Sequence, residues 1–171
     1  MSEYVCEPLA KRHDRQSFHC GNAELDLWFQ QRARQDQERH VAAVYVLVPV
    51  DEPTRVAGFY SLSATSLLLS ELPIEFTHKL PRYPVVPAIL LGRLARDVQF
   101  PGLGETLLLD ALHRAWINAA EIAAAAVVVD AKNARAREFY QRYGFQLIAG
   151  ITDRLFLPMK SLVETFKREQ R

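Results

Sequence analysis

The chain has 171 residues, 49% of them apolar, which suits one domain with one continuous core and leaves little room for a second. Its 21 Lys plus Arg against 20 Asp plus Glu leave a formal net charge of +1. Global electrostatics therefore neither demands nor excludes a polyanionic partner, and any nucleic-acid surface has to be local. Cys6 and Cys20 show no metal-like spacing with the histidines and make no disulfide framework, so no metal centre and a reducing, cytoplasmic setting are expected. The opening Met1-Ser-Glu-Tyr-Val-Cys-Glu has no signal-like apolar stretch. The longest apolar run, Ile122 to Val129, is far short of the ~20 residues that span a bilayer, so neither secretion nor a membrane is expected.

In chain order, Asn22 is placed to cap a helix with Glu24 and Asp26 in its first turn, which predicts one helix reaching about Arg39. Ala42–Val50 and Val56–Ala64, separated by the turn Asp51-Glu52-Pro53-Thr54, predict an antiparallel hairpin. Residues 66–87 carry Pro73, Pro81, Pro84 and Pro87, so irregular backbone is expected there, with at most a short helix over 66–72. Ile89–Val98 reads as a strand and Glu105–Ile122 as a helix, with Leu107, Leu108, Ala111, Leu112, Ala115 and Trp116 at helical spacing. Ala123–Asp130 suits a strand covered on both faces. A helix over Ala134–Tyr143 and short strands near Phe145–Ile148 and Arg154–Pro158 complete the order, with no internal repeat. The succession predicts an α/β domain with a mixed sheet, its glycine loop at the carboxyl end of a strand, where ligands bind in such sheets.

That loop, Arg96-Asp-Val-Gln-Phe-Pro-Gly-Leu-Gly-Glu105, leads into a helix with no Ser, Thr, Asp or Asn cap. A diphosphate satisfies such orphan amides when glycines let it approach, and this is the functional reading of Gly102, Leu103, Gly104 and Glu105. The alternative is a turn in which Pro101 and Gly102 only reverse the chain. A dinucleotide fingerprint is a poor match, with neither its three-glycine spacing nor a strand-final acid about twenty residues on, and a Walker loop fails for want of Gly-Lys-Ser/Thr.

The segment Leu91-Gly-Arg-Leu-Ala-Arg-Asp-Val-Gln-Phe-Pro-Gly-Leu-Gly-Glu, followed by Asp130-Ala-Lys-Asn-Ala-Arg-Ala-Arg-Glu-Phe-Tyr-Gln-Arg-Tyr-Gly-Phe, resembles the acetyl-CoA core of the GNAT acetyltransferases. Phe18-His-Cys-Gly-Asn, Tyr60-Ser-Leu-Ser, Leu80-Pro-Arg-Tyr-Pro and Leu155-Phe-Leu-Pro-Met-Lys are similar to the toxin branch of that family, which acetylates the amino group of aminoacyl-tRNA. The resemblance runs from about residue 5 to about residue 163, leaving a short C-terminal tail. It implies a mixed sheet splayed between Ile89–Val98 and Ala123–Asp130 and flanked by helices. The pantetheine arm would pair with the backbone of Leu94 and Arg96. Gln99, Gly102 and Gly104 stand at the family's pyrophosphate positions, although the loop is shorter here than in the toxin branch and Pro101 deletes one amide donor. Direct transfer from acetyl-CoA without an acyl-enzyme, aminoacyl-tRNA as substrate, a small cognate antitoxin and a homodimer are the further expectations that the resemblance carries.

Asn133, Arg137 and Tyr140 share one helix face by spacing. The resemblance implies that Tyr140 donates a proton to the leaving thiolate; its bland alternative is a core aromatic, and Tyr143 is the rival phenol. Asn133 reads equally as a helix cap and as a contact to the cofactor. Cys20 has no neighbouring base and is read as non-catalytic, and Phe139 and Phe145 as core. No residue stands out as a general base. This favours an α-amine of pKa about 7.7–8.0 over a lysine of about 10.4, because more of it is neutral near pH 7. Arg12, Arg15, Arg32, Arg34, Arg93, Arg96, Arg135, Arg137 and Arg142 would bind phosphates if the fold gathered them; scattered, they are a solvated face. A small-molecule amine acetyltransferase, or a binding module that has lost catalysis, are the other readings.

Overall fold

A computed structural model describes residues 3–150 and 153–169 of the chain. Seven strands are joined in the order β1 (Tyr4–Pro8), β2 (Ala43–Pro49), β3 (Gly58–Leu68), β4 (Val85–Arg96), β5 (Ala126–Asp130), β7 (Arg154–Pro158), β6 (Gln146–Leu147). β4 and β5 are parallel, whereas β1/β2, β2/β3, β5/β7 and β6/β7 are antiparallel, so the sheet is mixed as expected. Contacts gather into two compact units, one of residues 1–63 with 92–111 and one of residues 64–91 with 112–171.

In the first unit, β2 pairs with β1 on one side and β3 on the other, with Val46 opposite both Glu7 and Phe59. β1 was not expected, because its burial does not alternate. The predicted helix over 22–39 is two helices, α1 (Ala23–Gln31) and α2 (Ala33–Glu38), separated at Arg32, where φ is −121° and ψ −22°. The indole N–H of Trp28 donates to Asp36 at 2.8 Å. In a straight helix those residues would stand about 12 Å apart along the axis, so the break is what lets them meet. Asn22 caps α1 as expected, its side chain accepting from Leu25 N–H at 3.1 Å. The core is aromatic: Phe18, Trp28, Phe29 and Phe59 are buried together with Val44, Val46, Val48 and Ala95, and the Phe29 and Phe59 rings stack at 4.2 Å. Burying side chains of this size contributes about 1.5–3 kcal/mol each.

The second unit is built on β5, whose Ala126, Val127, Val128 and Val129 are all buried, paired with β4 over Ala88–Leu91 and with β7 over its whole length. β5 starts at Ala126 rather than Ala123, since its first pairing, with Ala88, sits directly after Pro87, whose carbonyl accepts from Ala125 N–H at 2.8 Å. The stretch expected to be irregular over 66–87 holds the end of β3, a 3₁₀ turn at Leu69–Glu71, α3 (Ile74–Thr77) and the start of β4. Helix α4 (Gly104–Glu121) buries Leu107, Leu108, Ala111, Leu112 and Ala115, as its spacing predicts. α5 (Ala134–Arg142) also lies where expected. The expected C-terminal tail instead carries α6 (Met159–Glu169), which buries Met159, Leu162 and Phe166. Phe166 stacks on Trp116 at 5.5 Å, a contact far apart in sequence that periodicity near Pro158 does not advertise.

Candidate active site

The loop between β4 and α4 belongs to the first unit. β4 is in register with β5 only as far as Leu91 and then runs on through Gly92–Arg96, so Leu94 and Arg96 lie beyond that register. Asp97, which sequence reasoning passed over, is buried, and both its carboxylate oxygens accept backbone N–H groups: His19 at 3.0 Å and Gln99 at 2.9 Å. Its own N–H donates to the Ala57 carbonyl at 2.8 Å, and its carbonyl accepts from Phe100 N–H at 3.0 Å. The side-chain oxygen of Gln99 accepts from the Arg55 guanidinium, which also lies 5.0 Å over the Phe100 ring. The Arg96 guanidinium is 3.4 Å from the Asp97 carbonyl.

Gly102 has φ +83°, in the region that only glycine adopts freely, and a Cβ there would meet nothing within 4 Å. The conformation, not crowding, requires glycine. Leu103 is buried, Gly104 opens α4, and Glu105 is exposed in its first turn. Glycines next to exposed backbone at the start of an 18-residue helix suit an anion approaching the amides.

Two contacts from β3 fix that helix. A Cβ on Gly58 would lie 2.7 Å from Leu107 Cδ1 and 3.1 Å from the Ala95 carbonyl, so strand and helix meet closely there. One turn along α4, the Tyr60 hydroxyl donates to Asp110. No local pattern announces either contact; the only signal was the Tyr60-Ser-Leu-Ser segment itself.

The second unit holds the side-chain candidates. Asn133 caps α5, its oxygen accepting from Ala136 N–H at 2.8 Å, which establishes the cap reading. Tyr140 is buried, and burial pushes its phenol up to about 12, so it holds its proton throughout the neutral range. Its ring meets Phe139 and Phe145 edge-on at 5.3 and 5.5 Å. Tyr143 stands at the C-terminal cap of α5 and packs edge-on with Phe139. Arg137 lies 3.3 Å from Asp153, and its buried Nε has no hydrogen-bond partner among the described residues. Phe145 is buried and Phe139 half-buried.

At Cys20, burial, then its hydrogen bond with Asp26, pushes the thiol up to about 11, which leaves little thiolate at neutral pH. Several of the arginines are engaged within the protein. Arg12 pairs with Glu7 at 2.7 Å, Arg15 donates to the Phe29 and Gln30 carbonyls, Arg34 pairs with Glu38, and Arg93 stacks on Trp28 at 3.8 Å. A cavity of about 660 Å³ in the second unit, lined by Phe76, Lys79, Leu80, Pro158 and Lys160 among others, contains none of the predicted site residues. Among the described residues no group of three or more His, Cys, Asp or Glu is arranged to hold a metal ion, and no helix is long and apolar enough to cross a membrane.

No family model matches the chain. It is 32% identical over 168 residues to the probable toxin TacT of Sinorhizobium fredii, covering 92% of each chain. With the tRNA-acetylating toxin of Mycobacterium tuberculosis the identity is 34% over 154 residues, covering 89% of this chain and 90% of that one. Among solved structures, AtaT complexed with acetyl-methionyl-tRNAfMet superposes with a TM-score of 0.89 at 28% identity, over 96% of this chain and 99% of that one. A mutant AtaT bound to the C-terminus of the antitoxin AtaR and acetyl-CoA gives 0.80 at 25% identity, over 96% and 99%. By sequence and by fold, the chain belongs to the GNAT-type family of tRNA-acetylating toxins.

Proposed function

We propose that the chain, acting as one domain in the cytoplasm, transfers acetyl from acetyl-CoA to the α-amino group of aminoacyl-tRNA, so blocking translation, and that a small cognate antitoxin restrains it. The observation that carries this reading is the loop after β4. A buried Asp97 ties down its first turn, Gly102 supplies a left-handed turn with open space beside it, and α4 starts at Gly104. Its amides and the α4 dipole fit a diphosphate, with the backbone of Leu94 and Arg96 pairing the pantetheine arm. Because the Gln99 side chain is engaged by Arg55, the contribution of Gln99 to this loop is through its backbone.

In this reading the neutral amine attacks the thioester carbonyl, the nitrogen–carbon bond forms, and the carbon–sulfur bond breaks. Tyr140 protonates the departing sulfur. A phenol at about 12 gives its proton uphill to an alkyl thiolate of about 8.5, and the ammonium formed on attack offsets this by releasing its own proton to solvent. The tyrosinate, disfavoured by burial, then regains a proton, so the cycle closes without an acyl-enzyme.

The test is transfer of labelled acetyl onto charged tRNA at rising salt. Tight binding at low salt that falls steeply with ionic strength is expected for a substrate held through several phosphates. Acetylation of small amines with no acetylation of charged tRNA at low salt would move the assignment to the small-molecule class.

A further inference from the structure

We infer that Asp97 is the positioning residue of the cofactor loop, fixing the turn that presents the loop's amides. The inference rests on the diphosphate reading of that loop. A carboxylate is expensive to bury, and this one is stabilised by two charge-assisted hydrogen bonds from backbone N–H groups that belong to different segments. One oxygen takes Gln99 N–H, two residues on, while the Asp97 carbonyl takes Phe100 N–H, three residues on; together they close the first turn after β4. The other oxygen takes His19 N–H, and Val98 N–H returns a bond to the His19 carbonyl at 2.9 Å.

The Phe18-His-Cys-Gly-Asn segment is thereby laced to the loop through the main chain of His19, held by one carboxylate oxygen and one loop N–H, which gives that sequence motif a task beyond capping α1. At the loop's far end Leu103 is buried and its carbonyl accepts from Leu107 N–H at 3.0 Å. Between these anchors lie Val98, Gln99, Pro101 and Gly102, all exposed. A loop held at both ends loses little freedom when a ligand orders it, and the carboxylate is the group that supplies the first anchor.

The experiment is calorimetry with two ligands, acetyl-CoA and S-acetyl-pantetheine, which keeps the thioester and the arm but has no diphosphate. The wild-type chain, Asp97→Asn and His19→Pro are compared. Asparagine turns one acceptor into a donor facing a backbone N–H. Acetyl-CoA affinity should then fall about 10- to 100-fold while acetyl-pantetheine affinity holds. His19→Pro deletes one of the two N–H donors at a position whose side chain is 67% exposed, and should shift the ratio of affinities in the same direction by less. A ratio unchanged from wild type in Asp97→Asn, or an equal loss for both ligands, overturns the inference. If Asp97→Asn does not fold, an unchanged ratio in His19→Pro overturns it. A wild-type chain that does not prefer acetyl-CoA to acetyl-pantetheine instead sinks the diphosphate reading, and the inference with it.

Discussion

The two compact units are put together on different principles. In the first, an aromatic core of Phe18, Trp28, Phe29 and Phe59 supports a candidate site made of main chain: glycines, a proline, and amides aimed by a buried carboxylate. In the second, an aliphatic strand, Ala126–Val129, supports candidates that are side chains, Asn133, Arg137 and Tyr140, along one helix. A site of backbone groups depends on turn geometry and tolerates many side chains. A site of side chains depends on the atoms at a few positions. Damage to the first should therefore appear as lost cofactor affinity, and damage to the second as lost rate.

The sharpest break of that division is Tyr140→Phe, which removes one hydroxyl and keeps the ring. Transfer should fall by ~10²–10⁴-fold while acetyl-CoA affinity, read by calorimetry, is nearly intact. Tyr143→Phe is the control: if it abolishes transfer while Tyr140→Phe does not, the acid is the other phenol. Alkaline titration adds a second readout. The folded pKa of Tyr140, about 12, lies above an unfolded value of about 10, so its contribution to stability is complete below pH ~10 and is lost as pH rises toward ~12. Tyr140→Phe should flatten that alkaline loss.

A smaller effect is expected at Cys20, where a thiol near 11 carries about 100-fold less thiolate at neutral pH than one at 9.0. Iodoacetamide labelling, followed by peptide mass spectrometry, should be slow in the folded chain and rapid after denaturation. Rapid labelling of the folded chain would show that the first unit does carry a reactive side chain.

The mildest change is Gly58→Ala. The new methyl meets Leu107 in the first turn of α4, and overpacking of this kind costs about 1–3 kcal/mol, to be read as a lower denaturant midpoint. Affinity for acetyl-CoA should drop modestly, with the rate at saturation unchanged. A drop in rate at saturation would blur the division between the units.

Legibility in the sequence follows the same line. The α5 helix, the strand–loop–helix succession and the helical spacing of α4 are local patterns, and the structure reproduces them. The anchors are not local. Asp97 meets His19 across 78 residues and Tyr60 meets Asp110 across 50, so neither pairing has a periodic signature. The break at Arg32 lets a tryptophan reach an aspartate eight residues on, a contact that helix propensity does not encode. Arginines that read as a phosphate surface are in several cases spent on carbonyls, carboxylates and an indole ring, because sequence counts charges without showing which are already paired.

Asn133 carries a consequence for ligand polarity. One lone pair of its carbonyl oxygen is taken by Ala136 N–H, while the amide nitrogen has two protons to give and no lone pair to share. A ligand oxygen set beside that nitrogen would be held by a donated hydrogen bond, whereas a ligand N–H set there would find no acceptor.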